Sequence, residues 1–186
     1  NWDFGWLAGF RYFKFQEGFE FASDEADTTF TGHADELFWN VDVDNHLIGF
    51  QIGSNARYHW SDCFGLYAKT KMGVYGNHIS HYSRIRGSNG FAFVNNAGTP
   101  NHLRQYNIRS TKNDVALMGE LDLGMKYSFW RRFEARAGYR AVAVSGVALA
   151  TGQFPQNFED IDGVAEVQSN GSLILHGAYL GLDYTF

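Results

Sequence analysis

His81 and Ser83 stand two residues apart, a spacing that sets both side chains on one face of an extended segment and could place a general base beside a hydroxyl nucleophile for acyl transfer. Two such residues on one face recur by chance in any strand-rich chain, and no third member completes a triad, so the pair reads as ordinary strand residues. His78 and His81 fall on opposite parities, which argues against a shared metal. The acidic groups Asp24, Glu25, Asp27 and Glu159, Asp160, Asp162 could hold a divalent cation, although solvated loops are the simpler account of them. Gly87 to Gly90 is followed by no helix that a phosphate could cap. Cys63 is the only cysteine, so neither an internal disulfide nor a thiolate metal cluster can form.

A larger set is more regular. Arg11, Glu17, Asp42, Arg57, Lys69, Lys71, Glu120, Asp122, Lys126, Glu134, Arg136, Arg140 and Asp183 occupy alternate positions in segments whose other parity is apolar. Gathered inside a closed sheet, charges of both signs make an ion-paired interior, in which removal of one partner typically costs ~3–5 kcal/mol.

Long strands must position them. From Ser172 to Phe186, Ile174, His176, Ala178, Leu180, Leu182, Tyr184 and Phe186 share one parity against Gly177, Tyr179, Gly181, Asp183 and Thr185. Val115 to Tyr127 and Phe133 to Ala143 alternate in the same way and form a hairpin about Ser128 to Arg131 with complementary charges on one face. Further strands are expected at Phe4 to Glu20, at Asp35 to Val43, from Ile48 to Trp60 and from Phe64 to Val74, with Asp44-Asn45 and Gly76-Asn77 as turns. One rising strand is needed between His78 and Val94 if both termini lie on one side. The total is eight, an even number as closure requires. In this scheme the short links at 44–45, 76–77 and 128–131 lie on one side and the long links at 21–34, 95–112 and 149–171 on the other, with Ser61-Asp62 facing the long-link side although it is short.

Composition fits such a sheet: of 186 residues, 17% are aromatic, 21 are Gly and only 2 are Pro. Mean hydropathy is -0.31, and no run approaches the ~18 apolar residues of a membrane helix, which leaves membrane crossing to alternating strands. A formal net charge of -5 without a basic patch argues against nucleic acid as a partner. Strands of ~15 residues at ~3.3 Å per residue and a tilt near 45° reach ~35 Å, enough to cross a bilayer. Phe10, Ile48, Phe50, Ile52, Leu66, Leu121, Leu123, Ala135, Ala137, Leu180 and Leu182 are therefore expected to face lipid. Phe4, Trp6, Tyr127 and Tyr184 would form one aromatic girdle and Tyr58, Trp60 and Phe64 the other. The start at Asn1, with no basic and apolar leader, points to a removed secretory signal. The competing fold is a soluble up-and-down barrel with the greasy face inward.

The blocks Trp6-Leu7-Ala8-Gly9-Phe10-Arg11-Tyr12-Phe13, Asn45 to Gly53, Lys71 to Asn77 and His176 to Leu182 resemble the planctomycete outer-membrane family called beta-barrel porin seven. The aromatic end at Phe186 is similar to the assembly signal of bacterial outer-membrane barrels. The resemblance implies an outer-membrane location and a porin-like role without supplying a substrate. Its members often extend further at the N-terminus, which would make residues 1–186 the C-terminal portion of a longer precursor.

The expectation is an all-β, antiparallel up-and-down transmembrane barrel of eight strands, residues 1–186 forming a single barrel domain in the bacterial outer membrane. It would be non-enzymatic, without cofactor or metal, with a porin-like envelope role and a lumen filled by its charged network. The partners expected are outer-membrane lipid, the barrel-assembly machinery acting on Phe186, and a homo-oligomer or array. A conducting diffusion porin and a lipid-modifying enzyme using His81 and Ser83 are the alternatives.

Overall fold

Alternation sustained over long segments gives six long strands in the computed structural model, which describes residues 1–24, 36–129 and 132–184. They are β1 (Trp2–Ser23), β2 (Leu37–His59), β3 (Phe64–Gly87), β5 (Asn107–Phe129), β6 (Phe133–Val147) and β7 (Gly171–Tyr184), with a two-residue β4 (Gly90–Phe91) paired to the end of β3. The sheet is antiparallel throughout and meanders in the order β1-β2-β3-β5-β6-β7. Among the described residues β1 pairs only with β2 and β7 only with β6, so the sheet is not closed. Phe186, Glu25 and Asp27 lie outside the described residues. No helix among the described residues is long and apolar enough to cross a membrane.

The count of eight strands is corrected. Asp44-Asn45 is not a turn: both residues lie inside β2, where Asp44 stands opposite Gln16 and Asn45 opposite Phe15. Gly76-Asn77 likewise lies inside β3, opposite Ile48 and Leu47. What resembles a turn is a change of apolar parity within one straight strand. On β2, Trp39, Val41, Val43 and Leu47 are buried on one face, whereas Ile48, Phe50 and Ile52 are exposed on the other. β3 repeats the crossover, with Ile79 and Ile85 buried and Leu66, Met72 and Val74 exposed on the opposite side.

Register places these crossovers in one row. Tyr12, Ile48, Gly76 and Val115 stand opposite one another across four strands, and two residues further along so do Lys14, His46, His78 and Asn113. Tyr12 hydrogen-bonds His46 at 2.7 Å and His78 bonds Asn113 at 2.7 Å along this polar row. On one side of it the outward face is apolar and the inward face charged; on the other side the two characters are exchanged.

The sheet curls toward its inward face. Arg11 on β1 reaches Glu120 on β5 at 2.7 Å, three strands away, a chord of ~14 Å on a flat sheet. Tyr67 on β3 meets Tyr179 on β7 across the same number of strands. That face is concave, and Leu47, Tyr75, Ala116, Met118, Val142, Val144 and Val147 pack on it above the charged rows.

The β2–β3 hairpin at residues 60–63 lies at the same end as the β5–β6 connection, because Phe64 stands opposite Tyr127. The expectation that Ser61-Asp62 faces the long-link side is therefore overturned. So is the split girdle: Trp2 stands opposite Tyr58, Phe64 opposite Tyr127 and Phe133 opposite Tyr184, which gathers these aromatics in one belt at the short-turn end. Trp2 and Tyr58 pack at 4.9 Å and Phe133 and Tyr184 at 4.9 Å between ring centroids. The facing ends of β1 and β2 at Ser23 and Leu37, and the links 88–106 and 148–170, are gathered at the opposite end.

Candidate functional site: the concave face

Period-two geometry alone puts Arg11, Glu17, Arg57, Lys69, Lys71, Glu120, Asp122, Lys126, Glu134, Arg136, Arg140 and Asp183 on the concave face. Eleven of them lie in a charged zone nearer the short turns. Glu120 is its hub: the side chain is 5% exposed and contacts Arg11 at 2.7 Å, Lys71 at 3.0 Å and Arg140 at 3.6 Å. Asp122, standing opposite both Lys69 and Arg140, accepts from Arg140 Nη2 at 2.9 Å and from the Tyr179 hydroxyl. Lys126 pairs with Glu134, and Arg136 with Asp183 at 3.4 Å. Arg140 is thus the cation shared by Glu120 and Asp122.

Glu17 is the exception. It lies beyond the charged zone and accepts the backbone N–H of Ala150 at 2.7 Å, taking no part in the ion-pair network. Asp42, expected beside it, is on the convex face, where Arg84 is 4.0 Å away.

Two aromatic hydroxyls complete the zone. Tyr67 and Tyr179 lie across Gly124 and Gly138, which face each other on β5 and β6, and their hydroxyls hydrogen-bond. A Cβ on either glycine would collide with a tyrosine hydroxyl, so these positions need Gly for a close approach. With the rings laid against the wall, the Lys69 ammonium sits 5.2 Å from the Tyr67 ring and Arg140 5.6 Å from that of Tyr179.

The other half of the concave face is covered by the β6–β7 link, whose role no motif in the sequence announces. Ala148, Ala150, Ile161, Val164 and Val167 pack with Trp39, Val41, Val43, Ile79 and Ile108. Asn45 anchors this strap as a strand partner would: its Nδ2 donates to Ala148 O at 2.8 Å and its Oδ1 accepts from Ala148 N at 2.9 Å. Asn77 Nδ2 donates to Asn45 Oδ1 at 3.0 Å and to Gly146 O at 3.1 Å. Lys112 holds the far end through Val167 O at 3.1 Å and Ser169 Oγ at 2.8 Å. Asn45→Ala leaves a buried N–H and C=O of Ala148 unpaired and is expected to cost about 1–3 kcal/mol. Faster hydrogen exchange at the Ala148 amide with the β2–β3 ladder still protected is the expected signature; unchanged exchange there would exclude the anchoring role.

His81 and Ser83 are both buried and do not bond each other. His81 Nδ1 lies 3.1 Å from Ser110 Oγ, and Ser83 Oγ accepts from Trp39 Nε1 at 3.1 Å. Ser83 is thus bonded to a member of the strap's core, whereas His81 Nε2 is buried with no hydrogen-bond partner among the described residues. The carboxylates 159–162 also have structural partners: Glu159 accepts from Asn96, Asp160 from the Gly163 N–H at the start of a helix at Ile161–Ala165, and Asp162 pairs with Arg104 at 3.0 Å. Burial, with Glu159 nearby, pushes the Tyr106 phenol in the β4–β5 link above its ordinary pKa.

The convex face is different in kind. Phe10, Ile48, Phe50, Ile52, Leu66, Leu121, Leu123, Leu180 and Leu182 are exposed on it, with Ala135 and Ala137 between them half-buried. Trp6 is 87%, Phe10 84% and Leu180 83% exposed. On β1 the apolar band runs from Trp2 to Tyr12, ten steps of ~3.3 Å, which at a tilt near 40° gives the ~25 Å height of an outer-membrane barrel's apolar band. An apolar surface continuous over six strands exceeds the few hundred Å² that a monomer in water tolerates.

The model of the family described as "Putative beta barrel porin-7" matches residues 3–186. No curated protein and no solved structure matches the chain.

Proposed function

The chain belongs to this beta barrel porin family, and from that premise we propose that it forms the wall of a bacterial outer-membrane barrel, with its convex face in lipid and its concave face lining the lumen. The observation that carries the reading is the exposed convex band, apolar from the aromatic belt at the short turns to the row of Lys14, His46, His78 and Asn113. Beyond that row the strands leave the membrane, and the same sheet becomes a water-facing wall around an apolar core. The short turns lie on the periplasmic side.

The role is non-enzymatic. His81 bonds Ser110 and Ser83 accepts from Trp39, both are buried, and neither bonds the other, which supports this reading. The interior is filled from two sides, by the ion pairs around Glu120 and by the strap at residues 148–167, which favours a narrow lumen over a wide diffusion channel. Both groups reach across the concave face itself: Arg11 to Glu120 over three strands, and the strap from β6 back to β2. Backbone edges are not tolerated in lipid, so the edges of β1 and β7 that are free among the described residues are paired in the membrane.

Single-tryptophan variants test the orientation. Brominated lipid is expected to quench Trp6 strongly and Trp39, buried on the concave face, hardly at all. Quenching of Trp6 by aqueous acrylamide in place of brominated lipid would reject the membrane reading.

A further inference from the structure

On the proposed lumen face we infer an oxyanion-binding station formed by Arg57 and Lys69, beside Tyr67, that takes a compact, multiply charged ligand of the phosphate or pyrophosphate class. The inference rests on the reading of the concave face as lumen.

The first observation is a charge excess. On the concave face of the described strands the seven cations named above exceed the four carboxylates near them, Glu120, Asp122, Glu134 and Asp183; Asp3, at the rim, is taken up by His59 at 2.8 Å. The second is how the excess is distributed. Glu120, Asp122, Glu134 and Asp183 each engage a cation, and of the seven cations of this zone the two left without a carboxylate at ion-pair distance among the described residues are Arg57 and Lys69. These two are neighbours. Arg57 stands opposite Tyr67 on the adjacent strand, and Lys69 is two residues from Tyr67 on the same face, a diagonal of ~7–8 Å between backbones.

The third observation is space. Lys69 opens onto a recess of about 470 Å³ lined also by Asp122, which Arg140 neutralises, and by Arg136, Arg140 and Tyr179, its wall kept low by Gly177 and Gly181; Arg57 stands one strand away, outside that lining. Like charges held on one wall at this spacing repel unless an anion sits between them. A guanidinium offers a planar fork to two oxygens and an ammonium offers a point charge, a combination suited to a tetrahedral oxyanion and poorly suited to a cation or a neutral sugar.

The test uses protein folded in neutral detergent micelles, checked by heat-modifiable mobility and vesicle insertion, and titrated calorimetrically with pyrophosphate at low ionic strength. Saturable binding is expected, weakening as salt is raised. Affinity should fall at least tenfold in the double variant Arg57→Gln/Lys69→Gln. It should be unchanged in Lys14→Gln, a cation of the convex face paired with Asp44. Inserted, heat-modifiable protein that binds no pyrophosphate, or binds it equally well after the double substitution, overturns the station and leaves the barrel reading standing. Wild-type protein that neither inserts nor shows heat-modifiable mobility overturns both.

Discussion

Glu120→Gln is expected to destabilise the folded protein by about 3 kcal/mol, the lower end of the range for breaking a buried ion pair from one side. The side chain is isosteric, so packing is retained and the loss is one of charge. Arg11, Lys71 and Arg140 converge on this carboxylate, and its removal leaves three cations facing each other around a 5% exposed position. Those partners keep a quarter to a half of their own exposure, which holds the cost below the upper limit of such changes. Arg136→Met supplies the contrast. Arg136 and Asp183 are each 43% exposed, and a pair of that kind contributes ~1 kcal/mol or less. Urea unfolding in lipid vesicles compares the two variants directly; equal midpoints would show that the ion pairs do not converge on Glu120 in the folded barrel.

Leu180→Arg is expected to cost ~2–4 kcal/mol, because a guanidinium on the lipid face is penalised most at the bilayer midplane. Along β7 the apolar band extends from Ile174 to Tyr184, and Tyr184 belongs to the aromatic belt opposite Phe133. Leu180 is nearer its middle, and Leu182 is one outward position closer to the belt. Leu182→Arg should therefore cost less, since an arginine near the boundary can extend its charge to the headgroups. A soluble protein gives the opposite pattern: a polar replacement on an exposed leucine would be neutral or favourable in water. Folding free energies of the two variants in vesicles separate these cases, and a cost near zero at position 180 would place the convex face in water.

Much of the sheet was legible because strand alternation is a local property. Arg136 points away from Ala135 and Ala137 whatever the rest of the chain does, so the face shared by Glu120, Asp122, Arg136 and Asp183 needed only the period of two. The hairpin of β5 and β6, with Asp122 opposite Arg140 and Lys126 paired to Glu134, followed from complementary charges on that face. Which cation meets which carboxylate was less accessible. Arg11 and Glu120 are 109 residues apart, and only curling of the sheet brings them together.

The sequence by itself determined the element type, the faces and the apolar band. Tertiary structure decided what a break in the pattern means. When apolar parity shifts at Asp44-Asn45 or Gly76-Asn77, a turn and a change of surroundings along one straight strand produce the same string of residues, because each side chain records only the medium it meets. Register resolves the ambiguity: Asn45 and Asn77 each have a neighbour on the adjacent strand, so the chain does not turn there. What changes is the medium, from lipid outside and charge inside to water outside and an apolar strap inside. The strap was hidden for the same reason, since Ala148, Ile161 and Val164 acquire their role from Val41, Val43 and Ile79, which lie far away in the chain and come within reach only once the sheet has curled.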